Sequence, residues 1–178
     1  MGNSLLILGA GQYGVVVDEI AQSLHTFDKI SFLDDKCVKI DNRESIIGKL
    51  DDYEKYVDWY RYAYVAIGNS EVRSKYIDRL KKVGYSIATL ISLNACVSPS
   101  AEVKSGCLIE AGVIVNSKSV IGEGTIVCAG AIVNHNSYVG KCCTLQCGSI
   151  VPSNSVVPDK TVLNYGKIYG EVAEPCGK

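Results

Sequence analysis

The chain has 178 residues, 18 Lys+Arg against 19 Asp+Glu, and a net charge of −1. That balance leaves no basic field to hold nucleic acid or an anionic membrane. No apolar run approaches the ~18 residues of a membrane span. The opening Met1–Leu6 reads neither as a secretory signal nor as a myristoylation site, so a soluble, cytoplasmic protein without membrane insertion is expected.

Composition divides the chain. Residues 1–90 hold 25 charged side chains and 11 of the 14 aromatics, whereas residues 91–168 hold only 9 charges. Seven of the eight cysteines fall at or after Cys96. Two differently built domains are expected, 1–90 and 91–168, with a tail over 169–178. The cysteines are expected as free thiols. Cys142, Cys143 and Cys147 have no CxxC spacing, so no metal site is expected.

The continuous apolar run Leu5–Leu8 predicts a strand buried on both faces. It ends in Gly9-Ala10-Gly11-Gln12-Tyr13-Gly14, and Val15–Ala21 reads as a helix. A second strand, Lys29–Leu33, ends in Asp34-Asp35, with Asp34 20 residues beyond Gly14. Tyr53, Tyr56 and Tyr60 recur at helical spacing, which predicts a helix over Asp51–Tyr60. A third strand, Tyr62–Ile67, closes on Gly68-Asn69, and residues 70–82 read as helix. Strand, GxGxxG, helix and a later acid form the dinucleotide fingerprint. Its glycines bring backbone amides to a phosphate at a helix N-terminus, and the acid takes ribose hydroxyls. Ninety residues are half of a doubly wound fold, so a mononucleotide or nucleotide sugar fits better than NAD.

The second half is a repeat. Stepping by six from Ile91 to Leu163 meets thirteen aliphatic residues without a gap, and the fifth position is small in all hexads but the last. The fourth is Gly or Asn in nine, as a corner with positive φ demands. Each aliphatic residue points into a narrow prism, with three hexads per coil and each residue stacked on the one 18 later. The N-terminal unit is expected to cap one end of the prism, and association through its flat faces to cover the rest.

Such hexads resemble the left-handed parallel β-helix acyltransferases, which are trimers with active sites between subunits. The whole chain resembles the bacterial sugar O-/N-acetyltransferases typified by sialic acid O-acetyltransferase and UDP-amino-sugar N-acetyltransferase. The resemblance rests on Leu5–Gly14, Phe32–Asp35, Ala66-Ile67-Gly68-Asn69 with Arg73, Ile109–Asn116 and Gly130–Asn136. It implies an α/β plus β architecture, a small Rossmann-like unit followed by a left-handed β-helix. It also implies acetyl-CoA as donor, a nucleotide-sugar acceptor, a homotrimer and a role in surface polysaccharide or glycan biosynthesis.

His135 holds the third, outward position of its hexad. An imidazole suits removal of a proton from a sugar amine or hydroxyl as it attacks a thioester. The resemblance makes His135 the general base and assigns the oxyanion to the backbone N–H at Ser153, one coil on. Asn136 stands where relatives carry an acid, Cys128 where they often carry Asn, and Thr144 where they often carry a second histidine. Tyr13 and Val15 replace a usual His and Lys. Gly9, Gly11, Tyr13, Gly14, Asp34, Asp35, Asn69, Arg73 and Asn116 are the candidate substrate-binding residues. Cys107 and Cys143 fall in the small inward slot and read as packing, while Cys128, Cys142 and Cys147 are expected to face outward. The alternative function is a non-catalytic nucleotide-sugar-binding or scaffold trimer.

Overall fold

Leu5 to Leu8 lie at the centre of a parallel sheet because both faces of their strand are covered. Leu5 and Ile7 pack into one apolar cluster and Leu6 and Leu8 into another, all four fully buried. The structure, a computed structural model, describes residues 2–36 and 46–170; most of the expected tail, 171–178, lies outside them. The elements of the first unit are β1 (Ser4–Leu8), α1 (Gln12–Ser23), β2 (Lys29–Leu33), β3 (Ile46–Gly48), β4 (Tyr62–Val65), α2 (Ser70–Lys82) and β5 (Ser86–Ile87). They form a parallel sheet of order β3-β2-β1-β4-β5, whose direction of growth reverses between β1 and β4. Loops at the carboxyl ends of those two strands therefore flank the switch-point crevice of an open α/β sheet.

The sheet is fuller than expected, with β3 and β5 added at its edges. The helix expected over Asp51–Tyr60 is a 3-10 helix, Leu50–Tyr56. The tyrosines of the helix and of the turn after it serve the core: Tyr53 and Tyr60 are buried, and the Tyr60 hydroxyl donates to Ser31 Oγ at 2.7 Å.

From Leu90 the chain winds into a left-handed β-helix of two-residue strands. Its first face stacks Leu90–Ile91, Leu108–Ile109, Ile126–Val127, Thr144–Leu145 and Val162–Leu163. The second stacks Cys96–Val97, Ile114–Val115, Ile132–Val133 and Ile150–Val151, and the third Glu102–Val103, Val120–Ile121, Tyr138–Val139 and Val156–Val157. Every pairing is parallel and 18 residues apart, as Ile114 with Ile132 and Val115 with Val133. One aliphatic residue per strand fills the interior. Inward hydroxyls are tolerated because a corner carbonyl of the next coil accepts them. Ser119, Thr125 and Ser137 donate to the carbonyls of Asn134, Gly140 and Pro152 at 2.7, 2.8 and 2.7 Å. Cys107 and Cys143 occupy the same slot and point their thiols at the Gly122 and Pro158 carbonyls, both at 3.1 Å.

Every corner from Gly106 to Gly166 has φ between +51 and +74, including Lys118, Cys142 and Lys160. From Gly124 on, each corner N–H donates to a carbonyl of the preceding coil, as Asn136 to Ser117 at 3.0 Å. Asn94 and Ser100 have no preceding coil to accept that bond, and they stay outside the left-handed region.

The first unit does not cap an end of the prism. It packs sideways on the first face, where Leu90, Leu108 and Ile126 join Leu5, Ile7, Val17 and Tyr64 in one buried cluster. Each such aliphatic side chain contributes at most about 1.5–3 kcal/mol. Arg73 fastens the same boundary. Wholly buried, it donates to the carbonyls of Gly124, Ile67, Gly68 and Cys142 at 2.8 Å and of Cys143 at 3.0 Å. Lys160 and Glu71 add an ion pair at 2.6 Å.

Candidate functional site

The Gly9–Gly14 turn is built from contacts that admit no side chain. Gly9 has φ +105, and a Cβ on Gly14 would stand 2.4 Å from the Gly9 carbonyl oxygen. Gly11 differs: an added Cβ there meets nothing within 4 Å, so its surroundings are open to a ligand at the start of α1. The Asp34 carboxylate accepts from the Ala10 N–H at 2.7 Å and the Lys36 N–H at 2.8 Å, bracing the turn from β2. Asp35 accepts from the Leu50 N–H at 3.1 Å, and Asn69 caps α2 by accepting from Glu71 and Val72 at 3.0 Å. Arg73, expected among the substrate-binding residues, is wholly buried and donates to Thr144 Oγ1 at 3.2 Å as well as to the five carbonyls at the domain boundary.

Tyr13 links the turn to the β-helix, its hydroxyl 3.3 Å from Cys128 Sγ. Burial and the thiol together push its pKa far above the ordinary tyrosine value. Cys128 lies at the corner between the first and second faces, stacked on Glu110. Burial raises the Cys128 thiol to about 12 and also raises the Glu110 carboxyl. Glu110, Cys128 and Cys147 place one ligand atom each within 4.8 Å of one another. Linear cysteine spacing hid this cluster; the stacking of residue 110 under 128, and of 129 under 147, would have revealed it. Cys142 leaves the prism interior as expected but does not reach solvent. Expected outward, it is buried against α2 in the cluster that holds Ile77 and Leu80, and Cys128 is buried as well.

His135 is exposed at another corner, between the second and third faces. Its carbonyl accepts from the Asn154 N–H at 3.1 Å, which fixes Ser153 in the coil above. Among the described residues no acceptor takes the Ser153 N–H. The Asn136 side-chain amide lies 3.0 Å from His135 Nδ1, leaving Nε2 as the outward nitrogen. Asn116 and Asn134 stack beside it, with Nδ2 of Asn116 donating to Oδ1 of Asn134 at 3.1 Å. A separate groove of about 250 Å³ on the third face is lined by Lys104, Ser105, Glu123, Tyr138 and Lys141, and His135 does not line it.

One chain thus keeps its two candidate regions apart. The Gly9–Gly14 turn and Tyr13 sit on the first face and its flanking corner, and His135 occupies the corner opposite that face.

Residues 4–80 match the PglD N-terminal domain family. The fold matches the acetyltransferase domain of PglB from Neisseria gonorrhoeae FA1090, in complex with acetyl coenzyme A, at 28% identity and a TM-score of 0.89. That likeness covers 94% of this chain and 82% of the other. A histidine-to-asparagine mutant of perosamine N-acetyltransferase from Caulobacter crescentus, in complex with CoA and GDP-perosamine, matches at 22% identity and a TM-score of 0.85. Coverage there is 93% of this chain and 87% of that one. WeeI from Acinetobacter baumannii AYE matches at 20% identity and 0.71, over 92% and 87% of the two chains. A PglD-type N-terminal domain joined to an unbroken left-handed β-helix defines a hexapeptide-repeat acyltransferase. Within that class its likeness is to the acetyltransferase domain of PglB.

Proposed function

We propose that this protein transfers an acetyl group from acetyl-CoA to an amine or hydroxyl of a nucleotide-linked sugar, as a homotrimer with His135 as general base. The observation that carries this reading is His135, outward on the prism beside an N–H of Ser153 that no described residue accepts. The acetyl coenzyme A held by the PglB domain, and the CoA and GDP-perosamine held by perosamine N-acetyltransferase, support the donor and the acceptor class.

The chemistry follows from the corner. Nε2 of His135 takes the proton of the acceptor as its nitrogen or oxygen attacks the thioester carbonyl. The negative charge that develops on the carbonyl oxygen falls to the Ser153 N–H. Collapse breaks the carbon–sulfur bond, the acetyl group stays on the sugar, and the CoA sulfur leaves with the proton returned by His135. Nδ2 of Asn136 faces Nδ1, so for Nε2 to hold the lone pair the amide turns over and Oδ1 accepts from Nδ1–H. The Gly9–Gly14 turn lies against the first face and His135 at the corner opposite it, so a second copy supplies the base to a nucleotide held at Gly9, Gly11 and Gly14. The second and third faces, which flank His135, expose Ile114, Tyr138 and Val156, apolar surface suited to such a neighbour.

The test is thiol release from acetyl-CoA with UDP- and GDP-linked amino sugars. His135→Ala is expected to lower turnover by about 10²–10⁴-fold with the fold intact; unchanged thiol release would overturn the assignment. Asn136 favours a second reading, a non-catalytic scaffold, since an amide stabilises an imidazolium less than a carboxylate does. Tight nucleotide-sugar binding without any CoA release would support that reading.

A further inference from the structure

We propose that Glu110, Cys128 and Cys147 form a binding site for a thiophilic divalent cation of the zinc class, next to the Gly9–Gly14 turn. Three successive coils each supply one donor at the corner between the first and second faces. Glu110 and Cys128 stack in register, and Cys147 sits one residue further along on the coil above. The three ligand atoms already lie within 4.8 Å of one another. Zinc–ligand bonds of about 2.0–2.3 Å ask for donors somewhat closer than that, a change within reach of side-chain rotation.

The cysteines of this chain sort by position. Cys107 and Cys143 fill the inward slot and Cys142 packs against α2, so packing accounts for all three. Cys128 edges the boundary cluster that holds Leu108 and Ile126, yet its thiol also converges with the exposed Cys147 on the Glu110 carboxylate. Two sulfurs and one carboxylate oxygen favour zinc over magnesium or calcium, which take oxygen ligands. Supporting hydrogen bonds are in place around the donors. The Ala129 N–H donates to Glu110 Oε2 at 3.0 Å, and the Tyr13 hydroxyl, 3.3 Å from Cys128 Sγ, can donate to a thiolate. Gln146 Oε1, 3.8 Å from the same sulfur, stands near the fourth position, otherwise open to water. Cys147 is exposed and Cys128 buried, so the ion enters from solvent and is held at depth. Binding replaces two thiol protons, which leave to solvent.

This site stands without the acetyltransferase reading, and its test uses no turnover. Reduced, metal-free full-length protein is titrated with Co²⁺ and then with competing Zn²⁺. One equivalent per chain and a thiolate-to-cobalt charge-transfer band are expected. Cys147→Ser, at an exposed position, and Glu110→Gln should weaken Zn²⁺ binding by at least the roughly 100-fold upper range of supporting-shell changes. Cys96→Ser should bind as the parent does. No charge-transfer band in the parent, or equal affinity in Cys147→Ser, overturns the proposal.

Discussion

Nε of Arg73 donates to the Gly124 carbonyl at 2.8 Å, joining α2 to a β-helix corner 51 residues away in the chain. Its Nη2 reaches the carbonyls of Cys142 and Cys143, one coil further on. A planar fork of five donors fits this set of acceptors, and an ammonium does not. Arg73→Met leaves several carbonyls buried without a donor, and a loss on the order of 3 kcal/mol is expected. Arg73→Lys should recover only a minor part. Urea unfolding measures both, and a change below 1 kcal/mol would contradict the role.

Two glycines of one turn should behave in opposite ways. Gly14→Ala drives a methyl to 2.4 Å from the Gly9 carbonyl oxygen, so a cost of about 1–3 kcal/mol is expected. Gly11→Ala meets nothing within 4 Å and should change stability by less than about 0.5 kcal/mol. If the nucleotide lies over Gly11, that silent methyl raises KM for the sugar nucleotide by about tenfold or more, the effect of 1.4 kcal/mol. Calorimetric binding with thermal melts separates the two outcomes.

Asn136 sits in the left-handed region with φ +57, and Asp tolerates that conformation as Asn does. Asn136→Asp keeps the corner and places an acceptor-only group against His135 Nδ1. The carboxylate favours the imidazolium, so the acid limb of the kcat/KM profile is expected to move to higher pH. A profile that stays in place would separate Asn136 from the base.

Lys81 pairs with Glu123 across the domain boundary, and Ser105 donates to the same carboxylate at 2.7 Å. Burial alone would raise the Glu123 carboxyl, but these partners hold it below the usual glutamate value. A carboxyl depressed in the folded state stabilises above its unfolded pKa, and the gain is lost as pH falls through the folded one. Glu123→Gln should therefore lower Tm at pH 7. The deficit should close as the pH is taken below the ordinary glutamate range of about 4. Equal deficits at both ends would contradict the ion pair's part in the boundary.

The hexads were legible because period six survives every substitution the chain makes on its outer surface. Ile109, Val115 and Ile121 each turn inward as their spacing demands. The short edge strands Ile46–Gly48 and Ser86–Ile87 were not legible, since two or three residues carry no period. Lys118, Cys142 and Lys160 take a corner conformation their side chains disfavour, because the register of eighteen leaves them no alternative. The partners of Arg73 were hidden for a different reason. In sequence it stands by the loop after β4, and its carbonyl partners appear only once the prism is wound. The same winding unites Glu110, Cys128 and Cys147.

The unbroken register also governs how the molecule can change length. A prism whose every ladder joins residue n to n + 18 can grow or shrink only by whole hexads, and keeps each residue on its own face only by whole circuits. Deleting one residue between Gly106 and Gly166 would turn each later aliphatic side chain toward solvent and move each later glycine or asparagine off the positive-φ position. Adding eighteen would lift the open end by one storey and leave every wall intact. For this half of the chain the unit of heritable change is the circuit rather than the residue, and Ser153 must ride one storey above His135 in any variant that keeps both.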